Sequence, residues 1–415
     1  MGRTIVQKVM AKKSGKKNVK PGDVVNCKVD KVLIKDYTHG YYAYLALKEI
    51  GAECKIAPKD IILADLGAFV PEVTLDLHNW VKEIGVPAEN IYRYKGIFHY
   101  MALDNGHILP GMLYTCTDSH TPIGGALGAI GIGLGGTDVG SALATGELWF
   151  EVPETINVVL KGELKPHVTI KDVMLKMAAD RGISWALGKI IEFSGPLVKK
   201  TNMDERYTLC NFAVDIASPL SAIVEPDDVT IAFLKDRVKG PITIEKNDPD
   251  AKYCEVYEVD VSNIEPMVAC PHNQTNAKAV RSLRNVKVDN VIIGTCTNGR
   301  LSDLRQGAEY LKGKHINEGV QLTVSPVTME VYRQAEKEGI LQTYIDAGAI
   351  IVNPTCLICN GRTCSLPLDG EVVLTTANRN HKGRLGNPNA DIYLCSPAVA
   401  AASALMGKIT DPRDL

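Results

Sequence analysis

The chain has 415 residues, 23% of them charged and 45% hydrophobic, with a formal net charge of -2. That balance excludes a nucleic-acid protein held by bulk electrostatics, and the length predicts two or three domains. The longest apolar stretches are broken by glycine (AIGIGLGG, 129–136) or are short alanine runs (VAAASAL, 399–405), below the roughly 20 residues a membrane span requires.

The basic N-terminus, MGRTIVQKVMAKKSGKK, carries no apolar core of the secretory kind. It opens Met-Gly, but Val6 stands where a myristoylation signal needs Ser or Thr. The expectation is a cytoplasmic chain. IILADLGAFV (61–70) reads as a strand entering a turn, and VTLDLHNWVKEIG (73–85) has helical spacing and a terminal glycine. INVVLKGEL (156–164) alternates as a strand, and DVTIAFLKDRV (228–238) reads as a helix. VDNVIIGTCTNGR (288–300) is a buried strand entering a turn, and the amphipathic LSDLRQGAEYLKG (301–313) follows. QLTVSPV (321–327) is a strand, TMEVYRQAEKEGI (328–340) a helix and AIIVNPTC (349–356) a strand ending at Pro and Cys; strand-like EVVLTTANRN and DIYLCSP close the chain. Strand and helix alternate from 288 onward, the doubly wound pattern. Pro-rich and polar joints at 151–155 and 269–276 divide the chain into three α/β units, 1–152, 153–285 and 286–415.

Eleven cysteines, an odd number at irregular spacing, do not make a disulfide scaffold. Cys27, Cys54, Cys210, Cys254 and Cys395 read as small structural hydrophobes. Cys356 and Cys359 form a C-x-x-C step with no second pair to match it. In open α/β sheets ligands gather beyond the carboxyl ends of strands. Cys296 follows VIIG and Cys356 follows IIVNPT, so both fall at strand tips, with Cys359 one turn on. Three converging thiols suit an iron–sulfur cluster. A zinc site completed by Cys364 or His381, and three unrelated buried thiols, stay open at this point. GGALGAIGIGLGG (124–136) does not follow the dinucleotide fingerprint and has no P-loop lysine, so it reads as close packing of backbone against a helix.

Several motifs together resemble the aconitase superfamily. They are GTCTNGR (294–300) with the later C-x-x-C, TDSHTPIGGALGAIGIGLGGTD (117–138), NRNHKGR (378–384), ACPHN, and LCNFAVDIASPLSAIVEPDD (209–228). The resemblance runs over nearly the whole chain. It implies three α/β/α domains with doubly wound sheets around a central cleft, and a free large subunit of the homoaconitase or isopropylmalate isomerase kind. It also implies a 4Fe–4S cluster on Cys296, Cys356 and Cys359, with one iron open to substrate, and Cys364 left structural. Asp118, Ser119 and His120 match the family's D-S-H; His99, Asp65 and Asp215 join them as implied acid–base residues. Arg379, Arg384, Asn378, Asn211, Asn298 and His39 are implied to bind substrate. Read alone, a DSH tripeptide is a turn, His99 between Phe and Tyr is a core histidine, and two loop arginines are surface residues. Asn211 and Asp215, four apart, lie on one helical face.

Three departures stand out. Leu66 occupies the place of a family histidine, Asp215 that of a glutamate, and the segment around His39 lacks an expected aspartate. They leave three readings of the reaction: isomerisation with another residue substituting, a different substrate, or dehydration alone. No fourth, swivelling domain fits after Leu415, so a separate small subunit is the expected partner, with no nucleic acid and no membrane. The implied reaction is dehydration or isomerisation of a 2-hydroxy di- or tricarboxylic acid. The alternatives are a non-catalytic iron–sulfur sensor on the same scaffold and a zinc-dependent lyase.

Overall fold

The computed structural model describes residues 2–35, 38–64, 71–363 and 366–415. Asp65, Leu66 and Cys364 lie outside them. Among the described residues, three sheets dominate, and each carries a parallel core. The first has the spatial order Ile91–Tyr92, Ile61–Ala64, Lys31–Lys35, Leu113–Cys116, Ile130–Gly133, all parallel. These strands are buried on both faces, which is why Ile61–Ala64 and Leu113–Cys116 read as continuous apolar runs rather than alternating ones. Helices Thr38–Ile50, Pro71–Glu83 and Phe98–Asp104 make the crossovers. A short antiparallel pair, Val24–Lys28 with Glu147–Glu151, lies outside this sheet.

The second sheet, Ser221–Val224, Ile190–Ser194, Thr155–Lys161, Glu255–Asp260, is also parallel throughout. The third has the order Ala277–Ala279, Met267–Ala269, Asp391–Leu394, Val372–Thr375, Asn290–Ile293, Gln321–Val324, Ile350–Ile351. Its first two strands are antiparallel additions. They draw residues 267–279 into the third sheet, so strand pairing puts the break between sheets ahead of Met267 and not near 285. The polar ACPHNQTN stretch read as a joint instead links strand Met267–Ala269, paired on both sides, to the edge strand Ala277–Ala279.

In the first and third sheets the strand order reverses. The chain steps outward from Lys31–Lys35 to one side, then returns to place Leu113–Cys116 on the other. It does the same around Asn290–Ile293, with Val372–Thr375 on the return side. Reversal leaves a crevice between the carboxyl ends of the two central strands. The residues that follow those strands, Asp118 to His120, Cys296, and Asn378 to Arg384, are the ones that carry the resemblance.

Helix Met203–Ala217 is buried along most of its length and packs against both the Thr121–Leu127 segment and helix Ile170–Arg181. Asn202 caps it, and Glu205 completes a capping box. The expected helical face with Asn211 and Asp215 is this one. The glycine-rich stretch passes close to backbone: a Cβ on Gly133 would overlap the carbonyl oxygen of Asp118, and one on Gly125 that of Ala222. The expected packing against a helix occurs further on, where Gly136 and Gly140 meet helix Thr38–Ile50. The expected helix at 228–238 closes at Leu234. The expected strand at 349–356 is reduced to Ile350–Ile351 at the sheet edge. Cys27, Cys210 and Cys395 are buried as expected, whereas Cys254 is exposed beside Lys189, its sulfur 3.6 Å from the ammonium.

Candidate active site

A cavity of about 520 Å³ opens where the two crevices face each other. Its wall includes Lys35, His39, Asp118, Ser119, His120, Cys296, Cys356, Cys359, Arg362, Arg379 and Arg384. Behind the wall lies a layer of buried polar residues that aims these groups.

Asp118 is the hub on one side. Its carboxylate accepts from Lys35 Nζ at 2.8 Å, from the backbone N–H of His120 at 2.9 Å, and contacts His99 Nε2 at 3.1 Å. Burial opposes its charge, but Lys35 first, and then His120 and His99, hold the carboxyl well below its ordinary range. His99 is fully buried and absent from the cavity wall. It steadies Asp118 and does not reach the cavity, and burial depresses its own pKa.

Asp215 is the hub on the other side. One oxygen meets His120 Nε2 at 2.9 Å and the other meets Arg379 Nε at 2.6 Å. Arg379 also donates from its NH2 nitrogen to Ser119 Oγ at 2.8 Å. Burial works against the charge on Asp215, yet His120 and then Arg379 hold its pKa at about 2. Burial alone would depress His120, but Asp215 and Asp118 push it up to about 9. His120 is therefore a cation at neutral pH. Its Nδ1, 3.5 Å from Asp118, is the more loosely held ring nitrogen.

Folding stability should carry the imprint of this pair. His120 titrates higher folded than unfolded, so its contribution is complete below pH 6.5 and drains away as pH rises towards 9. Asp215 behaves oppositely, its contribution present above 3.8 and lost as pH falls towards 2. Chemical denaturation from pH 6 to 9.5 is expected to show stability falling by a few kcal/mol, and His120→Asn should flatten most of that slope. An unchanged slope in the variant would show that the imidazolium is not paired as described.

The three thiols share the cavity, each brought by a different turn. Cys296 follows strand Asn290–Ile293 through a tight turn in which Thr295, a β-branched residue, sits at φ 69°. That conformation is rare for such a residue and concentrates at functional turns. Tyr100 fixes the turn by donating to the carbonyl of Cys296 at 2.7 Å. Cys356 caps the single turn Leu357–Asn360, and Cys359 lies within it. Cys359 is drawn down by Arg384, whose NH2 nitrogen lies 3.1 Å from its sulfur, despite burial. Cys356 is pushed up to about 12, first by burial and then by Asp118, and Cys296 is raised well above the usual range, first by burial and then by the neighbouring cysteine sulfurs.

This donor set fits a cluster. Ionising three neighbouring cysteines in one cavity is opposed by burial and mutual repulsion, and a cationic inorganic centre relieves both. Among the described residues no three His, Cys, Asp or Glu side chains are grouped as a single metal ion requires, whereas a cluster takes each thiolate at a different iron. Asn211 Nδ2 is buried without a partner among the described residues, beside the Cys296 thiol. A thiolate there is an acceptor for such a donor. His381 is exposed and not on the wall, so the zinc set it would complete does not assemble.

Asn211 and Asn378 also sit behind the wall, joined by a 2.7 Å hydrogen bond and both meeting the Cys296 sulfur. Asn298, expected to bind substrate, instead donates to Asp303 at 3.0 Å and lines a separate small cavity. Sequence reasoning missed Lys35. A charged residue at the carboxyl tip of an otherwise apolar central strand, KVLIK, was the available signal. It also missed Arg362, whose loop position carries no pattern.

Residues 68–407 match the sequence profile of the aconitase family (aconitate hydratase). The chain belongs to the aconitase family. It is 40% identical to the 3-isopropylmalate dehydratase large subunit of Thermodesulfovibrio yellowstonii, over 100% of both chains. It is 41% identical to large subunit 1 of that enzyme from Pyrococcus furiosus, over 100% of this chain and 99% of the other. The probable large subunit of Methanothermobacter thermautotrophicus matches at 40% identity, again over 100% of each. The solved structure of Thermococcus kodakaraensis aconitase X in its holo form shares the fold, with a TM-score of 0.50, 13% identity, and coverage of 91% of this chain and 89% of that one. This aconitase-family chain is accordingly of the hydro-lyase class, and the non-catalytic sensor reading is set aside. No helix among the described residues is long and apolar enough to cross a membrane.

Proposed function

We propose that the chain is the large subunit of a cluster-dependent hydro-lyase acting on a 2-hydroxy di- or tricarboxylic acid of the isopropylmalate, homocitrate–homoaconitate or 2,3-dimethylmalate type. The observation that carries this reading is the joint presence, on one cavity wall, of three thiols and of Lys35, His120, Arg379 and Arg384. That wall is strongly cationic, and Asp118 is the carboxylate it exposes; it suits a dianionic or trianionic substrate.

Cys296, Cys356 and Cys359 would hold a 4Fe–4S cluster. When bound, such a cluster supplies a Lewis-acid iron with an open position, which eases departure of a hydroxyl group. The remaining work belongs to the chain. Arg379 and Arg384 take substrate carboxylates, and Ser119 fixes the rotamer of Arg379. His120, held as a cation by Asp215, presents the proton that the departing hydroxyl needs. His39 is kept neutral, first by burial and then by Lys35, and it lines the same cavity as a proton acceptor. Asp118 keeps Lys35 and His120 in register. The relatives' names as large subunits support a separate small subunit that closes the cavity and shares in substrate selection.

Leu66, in place of a family histidine, favours dehydration alone over full isomerisation. Anaerobic co-purification with a small subunit decides among these outcomes. Iron and sulfide should be present in the chain, and brief air exposure should remove one iron together with dehydratase activity. Absence of iron, or activity unaffected by its loss, refutes the reading. Rapid interconversion of isopropylmalate or homocitrate isomers would refute the dehydration-only part.

A further inference from the structure

Lys171 is fully buried on helix Ile170–Arg181, and among the described residues its ammonium meets backbone carbonyls and no carboxylate within ion-pair distance. A buried ammonium without a counter-ion is costly and is kept only where its protons are all used. Lys171 Nζ donates to the carbonyls of Ala377 at 2.8 Å and Thr376 at 3.2 Å. It also rests 3.8 Å from the centre of the Phe212 ring, a cation–π contact. The next carbonyl, that of Asn378, accepts from Gln274 Nε2 at 3.1 Å. Three successive carbonyls of the turn that delivers Asn378 and Arg379 are thus tied back by side chains from other parts of the fold. The side chains of the same turn are tied by Asn211 and Asp215 on helix Met203–Ala217. Phe212 belongs to that helix, so one element anchors the turn's side chains and the ammonium that holds its backbone.

We propose that Lys171 and Gln274 form a carbonyl clamp that sets the direction of Asn378 and Arg379, and that both are positioning residues for carboxylate recognition. With its carbonyls drawn back, the turn points Asn378 at Cys296 and Arg379 across Ser119. Without the clamp, the turn is held by side chains alone, and the guanidinium loses its fixed approach. The inference rests on Arg379 being the carboxylate-binding group of the proposed function.

The test compares Lys171→Met, Lys171→Arg and Gln274→Leu in the anaerobic two-subunit enzyme, with hydrogen–deuterium exchange as a readout independent of turnover. Lys171→Met should raise KM for the hydroxy acid roughly tenfold or more while kcat changes less, and should speed exchange across 376–380 with helix 170–181 still protected. Lys171→Arg, which keeps charge and donors, should restore KM to within about threefold. Gln274→Leu should raise KM by a smaller factor. An unchanged KM and unchanged exchange in Lys171→Met overturns the clamp, as does exchange that rises along the whole helix with no KM effect. If Lys171→Met does not fold, Gln274→Leu decides: a wild-type KM and wild-type exchange at 376–380 overturn it. Inactivity of the wild type on every hydroxy diacid would instead refute the functional reading, while the exchange result would still report on the clamp.

Discussion

A chain with Cys359 replaced by serine is expected to fold, to bind its partner and to lose dehydratase activity by a factor of roughly a thousand or more. Cys359 is the thiol most ready to ionise, because Arg384 outweighs burial and draws its pKa down, whereas burial raises Cys296 and Cys356. Under the proposed function it would be the thiolate most available to an incoming iron centre. Among the described residues its side chain makes no hydrogen bond other than the one from Arg384, so a serine of nearly the same shape leaves the Leu357–Asn360 turn intact. Iron and sulfide per chain should fall with activity, and thermal stability of the iron-free protein should not. Retention of a full complement of iron together with normal turnover would contradict the assignment of the three thiols. Cys254, exposed and remote from the cavity, is the matched control, and Cys254→Ser should change neither property.

Arg379→Lys is expected to lower kcat/KM by roughly a hundredfold or more, mainly through KM, because a lysine cannot reproduce the forked geometry. Arg379 spans two partners, Asp215 at 2.6 Å and Ser119 at 2.8 Å, and still presents an edge to the cavity. A lysine reaches one of these at a time. The loss also touches His120, since Asp215 pairs with both residues and is the larger of the two carboxylate influences that raise His120. The alkaline limb of the kcat profile should move in the variant, a change that simple loss of a surface arginine would not cause. Kinetics within threefold of wild type across a pH series would show that the carboxylate is held elsewhere.

Much of this site was legible from sequence because its residues come in short contiguous motifs. Asp118 to His120, Asn378 to Arg384, and the C-x-x-C step each occupy one turn after one strand, so local order alone keeps them together. The roles inside the motifs were less legible. The resemblance implies acid–base roles for His99 and Asp215, but burial makes the first a support for Asp118 and the second a shared anchor for His120 and Arg379. Asn298 lies two residues from Cys296 yet faces another cavity, because the tight turn at Thr295 sends neighbouring side chains in different directions.

Lys35 and Lys171 show the opposite case. Neither belongs to a recognisable motif, and their partners, Asp118 and the 376–377 carbonyls, are far away along the chain. Composition, periodicity and motif order determined the α/β class, the strand-tip placement of the thiols and the family. The tertiary structure decided which groups touch the cavity, which stand behind it, and which protonation state each adopts. Charge state depends on burial and on partners brought from distant sequence, and those exist only once the strand orders reverse and the two crevices meet.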